Sequence, residues 1–220
     1  MKLPYYVPVM LNLNGRRCVI VGGGAVAERK AVSLIEAGAE VVMICPAVTT
    51  GLQRLHAEKR IVWERRPYEN GDLRGAFLVY AATDRPEVND AVIKEAADHG
   101  IPANHAGEGS RGSFITPSVM RRGSLIVAVS ASGAGPGATR ELCREIEESF
   151  GDDYETYIDF LSFARSGIKA RVQDKQLRAR LFRALSELDI LASIREGRFR
   201  PWSEDELIAW MKTAGGMNLE

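Results

Sequence analysis

The sequence has few cysteines, no excess of either charge and no long apolar run. The three cysteines, Cys18, Cys45 and Cys143, are far apart, and their number is odd. Without a C-x-x-C pair they support neither a disulfide framework nor a zinc knuckle, and no metal ligands are assigned. Reduced thiols in a cytoplasmic protein are the expectation. Lys and Arg total 29 and so do Asp and Glu. No global field therefore argues for nucleic acid or a membrane surface as the partner. The N-terminal stretch MKLPYYVPVML carries prolines in place of an apolar run, so neither a leader peptide nor a membrane span is expected there. Neither internal repeats nor low-complexity segments are found.

What is present is an alternation of strand-like and helix-like segments. The 220 residues are 45% hydrophobic, enough for a sizeable core. Cys18–Val21 reads as a buried strand, and Ala27, Ala31, Leu34 and Ile35 recur at helical spacing before Gly38. Strands are expected over 39–46, 60–64, 76–84 and 101–106, with helices around Leu52 and after Pro86. This order predicts an α/β fold with a Rossmann-type parallel sheet. The pattern changes after Ser113. One more strand is expected over 124–132, a helix over 139–150, and only helices beyond Gly151. Leu177, Leu181, Leu185 and Leu188 stripe one of these. Ser203 and Glu206 form a capping box for another, with Trp202 and Leu207 as its staple.

The chemistry begins at VIVGGGAVAERKA. Gly22, Gly24 and Ala27 fit G-x-G-x-x-G/A between the first strand and the first helix. The first glycine permits the turn and the second lets backbone approach a pyrophosphate. The small third residue lets the helix pack on the sheet. Helix N-terminal amides would then face the phosphates, which predicts dinucleotide binding. The acid expected at the end of the second strand is missing from MICPAV, and Glu40 stands at the opposite end. NAD and NADP are therefore not separated by this reading. Asp84 ends a strand beside the expected crevice and reads either as a cofactor contact or as a cap for the next helix.

Three stretches in fixed order carry a wider likeness: YYVPVMLNLNGRRCVIVGGGAVAERKA, AATDRPEVN and NHAGEGSRGSFITPSVMRRGSLIVAVSASGAGPGATRELCREIE. Over roughly residues 3–150 the chain resembles the precorrin-2 dehydrogenase family, the dehydrogenase/ferrochelatase part of siroheme synthase. The resemblance implies an NAD-binding Rossmann domain over 1–113, a dimerisation region over 114–148 and a helical domain over 149–220. It implies a homodimer that oxidises precorrin-2 to sirohydrochlorin with NAD as hydride acceptor. Some members also insert ferrous iron. The methyltransferase domain of fused siroheme synthases is expected to be absent. Two other readings stay open: a chelatase with weak dehydrogenase activity, and a non-catalytic NAD(H)-sensing module.

The resemblance places Gly22, Gly24, Ala25 and Val26 at the cofactor phosphates, and Thr83, Asp84 and Asn89 beside the cofactor. The family segment reads Asn-x-x-Asp, with a Phe seven residues after the acid. Asn104 and Phe114 match, but Gly107 stands where the aspartate belongs. A proton acceptor contributes about 10²–10⁴-fold to such a step. Glu108 and His105 are the candidates to replace it; proton loss without an essential side chain is the third option. Asn104 is a candidate substrate contact. Ser130 and Ser132, in a small-residue turn with Gly133, either line the tetrapyrrole mouth or only permit the tight turn. Arg140 matches the family's arginine and reads as a substrate-carboxylate contact or an intersubunit ion pair. The crowd of basic residues from Arg165 to Arg183 reads as a solvated helix face or as a receiver of substrate carboxylates.

Overall fold

The computed structural model describes residues 6–132 and 136–216. These fall into two compact units, 6–116 with 131–132, and 117–130 with 136–216.

In the first unit, β1 (Arg17–Val21), α1 (Ala25–Glu36), β2 (Glu40–Ile44), α2 (Thr50–Ala57), β3 (Val62–Glu64), β4 (Leu78–Ala81), α3 (Pro86–Asp98) and β5 (Ala103–His105) follow in sequence. The strands form one parallel sheet in the order β3-β2-β1-β4-β5. Strand side chains alternate between faces, so β1 feeds two cores. Cys18 and Ile20 join Ala27, Ala31 and Leu52 on the α1–α2 side. Val19 and Val21 join Val92 and Ala96 of α3 on the other. The sheet order reverses between β1 and β4, and in open α/β sheets ligands bind in the crevice at such a point.

The end of the sheet away from that crevice is held by a buried acid. Glu95 of α3, 3% exposed, accepts hydrogen bonds from the amides of Gly71 (2.9 Å) and Leu73 (3.1 Å) and from the Tyr68 hydroxyl. Burial and the neighbouring carboxylate hold the Tyr68 phenol above its ordinary pKa. Glu95→Ala would leave the buried Leu73 amide without its acceptor and release the Gly71 amide and the Tyr68 hydroxyl, and should cost about 3 kcal/mol of unfolding free energy, measured by urea denaturation. A variant as stable as the parent would show that the loop re-forms these bonds elsewhere.

The second unit pairs a two-stranded antiparallel sheet, β6 (Ser118–Arg122) with β7 (Leu125–Val129), and five helices. These are α4 (Pro136–Ser149), α5 (Asp153–Arg171), α6 (Lys175–Ser186), α7 (Ile190–Arg195) and α8 (Glu204–Gly215). The single strand expected over 124–132 is thus the second half of a hairpin, turned at Gly123 with φ +52°. The hairpin and α4, expected in a region of their own over 114–148, fall in the same unit as the later helices. Leu181 and Leu185 are buried with Phe160, Leu207 and Met211, while Leu188 joins that cluster from beyond the end of α6. The capping box forms as expected: Glu206 N–H donates to Ser203 Oγ, and Ser203 N–H to the Glu206 carboxylate. Trp202 and Leu207 belong to the same apolar cluster.

Within the basic stretch, Arg165 stacks over Phe182 at 4.1 Å and Arg171 pairs with Glu204 at 2.6 Å. Arg180 donates to the Gly215 carbonyl. These arginines tie helices together. No helix among the described residues is long and apolar enough to cross a membrane.

Candidate functional site

The three glycines after β1 do three different jobs. Gly22 has φ +130°, and a Cβ on it would lie 2.2 Å from the Ala82 carbonyl oxygen, so the turn after β1 and the turn after β4 touch here. A Cβ on Gly23 would lie 2.0 Å from the Ala47 carbonyl, which brings the segment after β2 against the same turn. Gly24 is exposed and a Cβ on it meets nothing within 4 Å. It is the N-cap residue of α1, with extended backbone and no side-chain cap. Ala25 and Val26 open the helix and are exposed, and Ala27 is fully buried. An open glycine in front of uncapped helix amides is the shape a pyrophosphate needs, so these residues fit a dinucleotide.

Opposite, the turn after β4 is built by Asn89. Its buried amide accepts from Thr83 N–H (3.1 Å) and Thr83 Oγ1 (2.8 Å) and donates to the Thr83 carbonyl (3.0 Å). Asn89 therefore holds Thr83 in place from within the fold. The N-cap residue of α3 is Arg85, whose N–H donates to Thr83 Oγ1. Asp84 is not the cap; it is exposed at the carboxyl end of β4, without a hydrogen bond or ion pair among the described residues.

Two features escaped the sequence reading. Where β2 ends without an acid, Glu28 of α1 supplies one to the next turn: Thr49 Oγ1 donates to Glu28 Oε2 at 2.6 Å and also caps α2. The second is Lys30, half-buried over the Tyr80 ring at 5.3 Å. Burial pulls its pKa down, with Arg29 adding to the effect, and it has no anionic partner among the described residues. Only the three-dimensional path of the turn after β2 reveals the first. The sign for the second was a lysine amid the apolar stripe of α1, three residues after Ala27.

β5 carries the remaining candidates. Asn104 is buried and donates from Nδ2 to the Phe114 carbonyl at 2.9 Å, fixing the extended segment that returns from the loop. His105 is 5% exposed. Its Nδ1 accepts from the amides of Gly107 (3.2 Å) and Glu108 (2.9 Å), while its Nε2 is enclosed without a partner among the described residues. Gly107 has ordinary backbone geometry, and a Cβ there would touch His105 at 3.5 Å, normal van der Waals contact. Glu108 is exposed, and its carboxylate has no partner among the described residues. A 3-10 turn, Gly109–Arg111, follows it, and Arg111 forms an ion pair with Asp90 of α3.

The first unit thus brings together the glycine turn, Thr83, Asp84, Asn89, Asn104, His105 and Glu108 at the carboxyl ends of β1, β4 and β5. Ser132 belongs to that unit and has left-handed backbone, φ +52°. Ser130 and Arg140, both exposed, belong to the second unit. Gly133 lies outside the described residues. No group of three or more potential metal ligands occurs among the described residues.

Residues 9–118 match a family model described as "Putative NAD(P)-binding". The precorrin-2 dehydrogenase of Bacillus subtilis (strain 168) is 31% identical over 155 residues, which cover 70% of this chain and 95% of that protein. Siroheme synthase 1 of Aeromonas salmonicida (strain A449) is 36% identical over 186 residues, 84% of this chain and 40% of that one. The chain therefore spans less than half the length of the siroheme synthases it matches. Among solved structures, "SirC, precorrin-2 dehydrogenase" superposes with a TM-score of 0.76 at 24% identity, covering 94% of this chain and all of that one, a likeness of fold.

Proposed function

Since this chain belongs to the family of precorrin-2 dehydrogenases and siroheme synthases, we propose that it oxidises precorrin-2 to sirohydrochlorin with NAD as the acceptor. The observation that carries the reading is the match to a precorrin-2 dehydrogenase along nearly its whole length. The open Gly24 cradle at the point where the sheet order reverses agrees with it.

The dehydrogenation removes a hydride and a proton from the tetrapyrrole, giving sirohydrochlorin, NADH and H⁺. The nicotinamide supplies the hydride acceptor when bound. The chain's own residues do the rest. Gly22, Gly24, Ala25 and Val26 would hold the pyrophosphate against the N-terminus of α1. Thr83 and Asp84 would flank the cofactor from the β4 turn, with Asn89 holding Thr83. Glu108, whose carboxylate is exposed and unpaired, would accept the proton in place of the acid that Gly107 lacks. Ser130, Ser132 and Arg140 are proposed as substrate contacts; Asn104, buried and bonded to the Phe114 carbonyl, is proposed to support the turn after β5 from within the fold. A cytoplasmic location suits three free thiols, of which Cys18 and Cys45 are buried.

Mixing the protein with precorrin-2 and NAD and following absorbance tests the reading. Sirohydrochlorin formed together with NADH supports it. Iron insertion without NADH would mark a chelatase, and tight NAD(H) binding with neither reaction a sensing module.

The assembly proposed is a homodimer. The β6–β7 hairpin has only two strands, and Val119 and Leu142 are 44% and 48% exposed. A second copy can cover them. Light scattering at micromolar concentration should give about twice the 24.2 kDa chain mass; a monomer mass throughout would overturn the proposal.

A further inference from the structure

We propose that His105 is a positioning residue: its imidazole tethers the loop that carries Glu108 and fixes where that carboxylate stands. The inference rests on the reading of Glu108 as the proton acceptor and adds what makes Glu108 effective.

The segment after β5 has little stiffness of its own. Gly107, Gly109 and Gly112 flank or follow Glu108 within a few residues, and glycines give a loop many accessible conformations. Ala106 N–H ties the start of the segment to the Ala81 carbonyl at 2.9 Å, and Gly112 N–H donates to the Gly109 carbonyl at 3.3 Å. Three more contacts restrain it. Arg111 is paired with Asp90 at the far end. Arg111 N–H donates to the Glu108 carbonyl at 2.9 Å. The amides of Gly107 and Glu108 both converge on His105 Nδ1. Among the described residues this last contact alone engages the Gly107 and Glu108 amides, and it comes from a side chain locked beneath the loop.

The same contacts assign the tautomer. Two donors point at Nδ1, so Nδ1 presents its lone pair and the ring hydrogen sits on Nε2. Nε2 is enclosed and has no partner among the described residues, so it offers neither a lone pair to accept a substrate proton nor a path to pass one on. An enclosed donor without an acceptor is unfavourable. An aliphatic side chain would fill the same space without that cost, but it could not accept the two amides. What the imidazole supplies here is the Nδ1 acceptor. In this arrangement His105 acts through Glu108 and not by direct proton transfer.

An asparagine at this position has a side-chain oxygen able to accept from amides two and three residues ahead, as in an Asx turn. A leucine does not. His105→Leu should lower kcat by about tenfold or more, because a small displacement of a reacting group is costly. KM for NAD should change less than about twofold, since the glycine cradle is untouched. His105→Asn should recover most of the loss. In a Glu108→Gln background, His105→Leu should add almost nothing, as expected for two residues acting as one unit. Amide hydrogen exchange in the ligand-free protein gives a readout independent of turnover. The Gly107 and Glu108 amides should exchange faster in His105→Leu, and near the parent rate in His105→Asn.

Full turnover in Glu108→Gln would sink the proton-acceptor role itself, whatever His105→Leu does. An impaired Glu108→Gln beside an unimpaired His105→Leu would overturn the tether alone. So would losses that multiply in the double variant, or amide exchange that His105→Leu leaves unchanged.

Discussion

Gly24→Asp should lower affinity for NAD by about 10²-fold or more while leaving the protein folded, because a like charge placed against a bound anion costs several kcal/mol. The site makes this a clean test. A Cβ on Gly24 meets nothing within 4 Å, and the backbone there is extended with negative φ, so the substitution introduces no clash. Aspartate is also a favoured N-cap residue, and α1 has no side-chain cap of its own. The new carboxylate would occupy the amides that the pyrophosphate needs, stabilising the helix while closing the cradle. Gly22→Ala and Gly23→Ala are the contrast. Each would drive a methyl group to within 2.2 or 2.0 Å of a backbone carbonyl and should damage the fold itself. Calorimetric titration with NAD, beside a thermal melt of each variant, separates the two outcomes. Undiminished affinity in a folded Gly24→Asp protein would mean that the cofactor does not bind at this turn.

The second large effect is expected at Glu108. Glu108→Gln keeps the shape and removes the proton acceptor, so dehydrogenation should fall about 10²-fold or more with NAD affinity almost unchanged. The companion change Gly107→Asp in that background should recover part of the loss. Gly107 has ordinary backbone geometry, and a Cβ at that position lies 3.5 Å from the His105 ring, so an aspartate side chain starts from an unstrained position. Single-turnover measurement of sirohydrochlorin formation reads both variants. Near-normal turnover in Glu108→Gln would leave proton release to water or to the substrate's own carboxylates.

The parts of this molecule that sequence reading anticipated are those whose cause is local. The stop at Gly38, the Pro86 start of α3 and the Ser203–Glu206 capping box each depend on neighbours a few residues away. The glycine turn shows in its spacing, but what Gly22 and Gly23 pack against, Ala82 and Ala47, does not. β6 was missed although its signal was present: Gly123–Ser124 is a two-residue loop between strands, but SVMRR shows no clear alternation on its own. Asp84 looked like a cap because it precedes Pro86, whereas the N-cap residue of α3 is Arg85 and no side chain caps the helix. The roles of Glu95 and Glu28 were illegible because their partners lie more than twenty residues away, across turns whose path only the fold defines. His105 is the intermediate case. Its partners are two and three residues ahead, yet nothing in the string NHAGE says that the backbone curls back onto the ring.

The way the chain is shared between its two units bears on how the protein can be cut and rebuilt. It leaves the first unit after Thr116, re-enters it at Ala131 and departs again before residue 136. A single protease nick therefore cannot release either unit whole, and a gene truncated at 116 would omit a piece that the first unit includes. Neither unit is a cassette to be appended at one junction. Attempts to graft a different second unit onto this sheet would need three splice points instead of one.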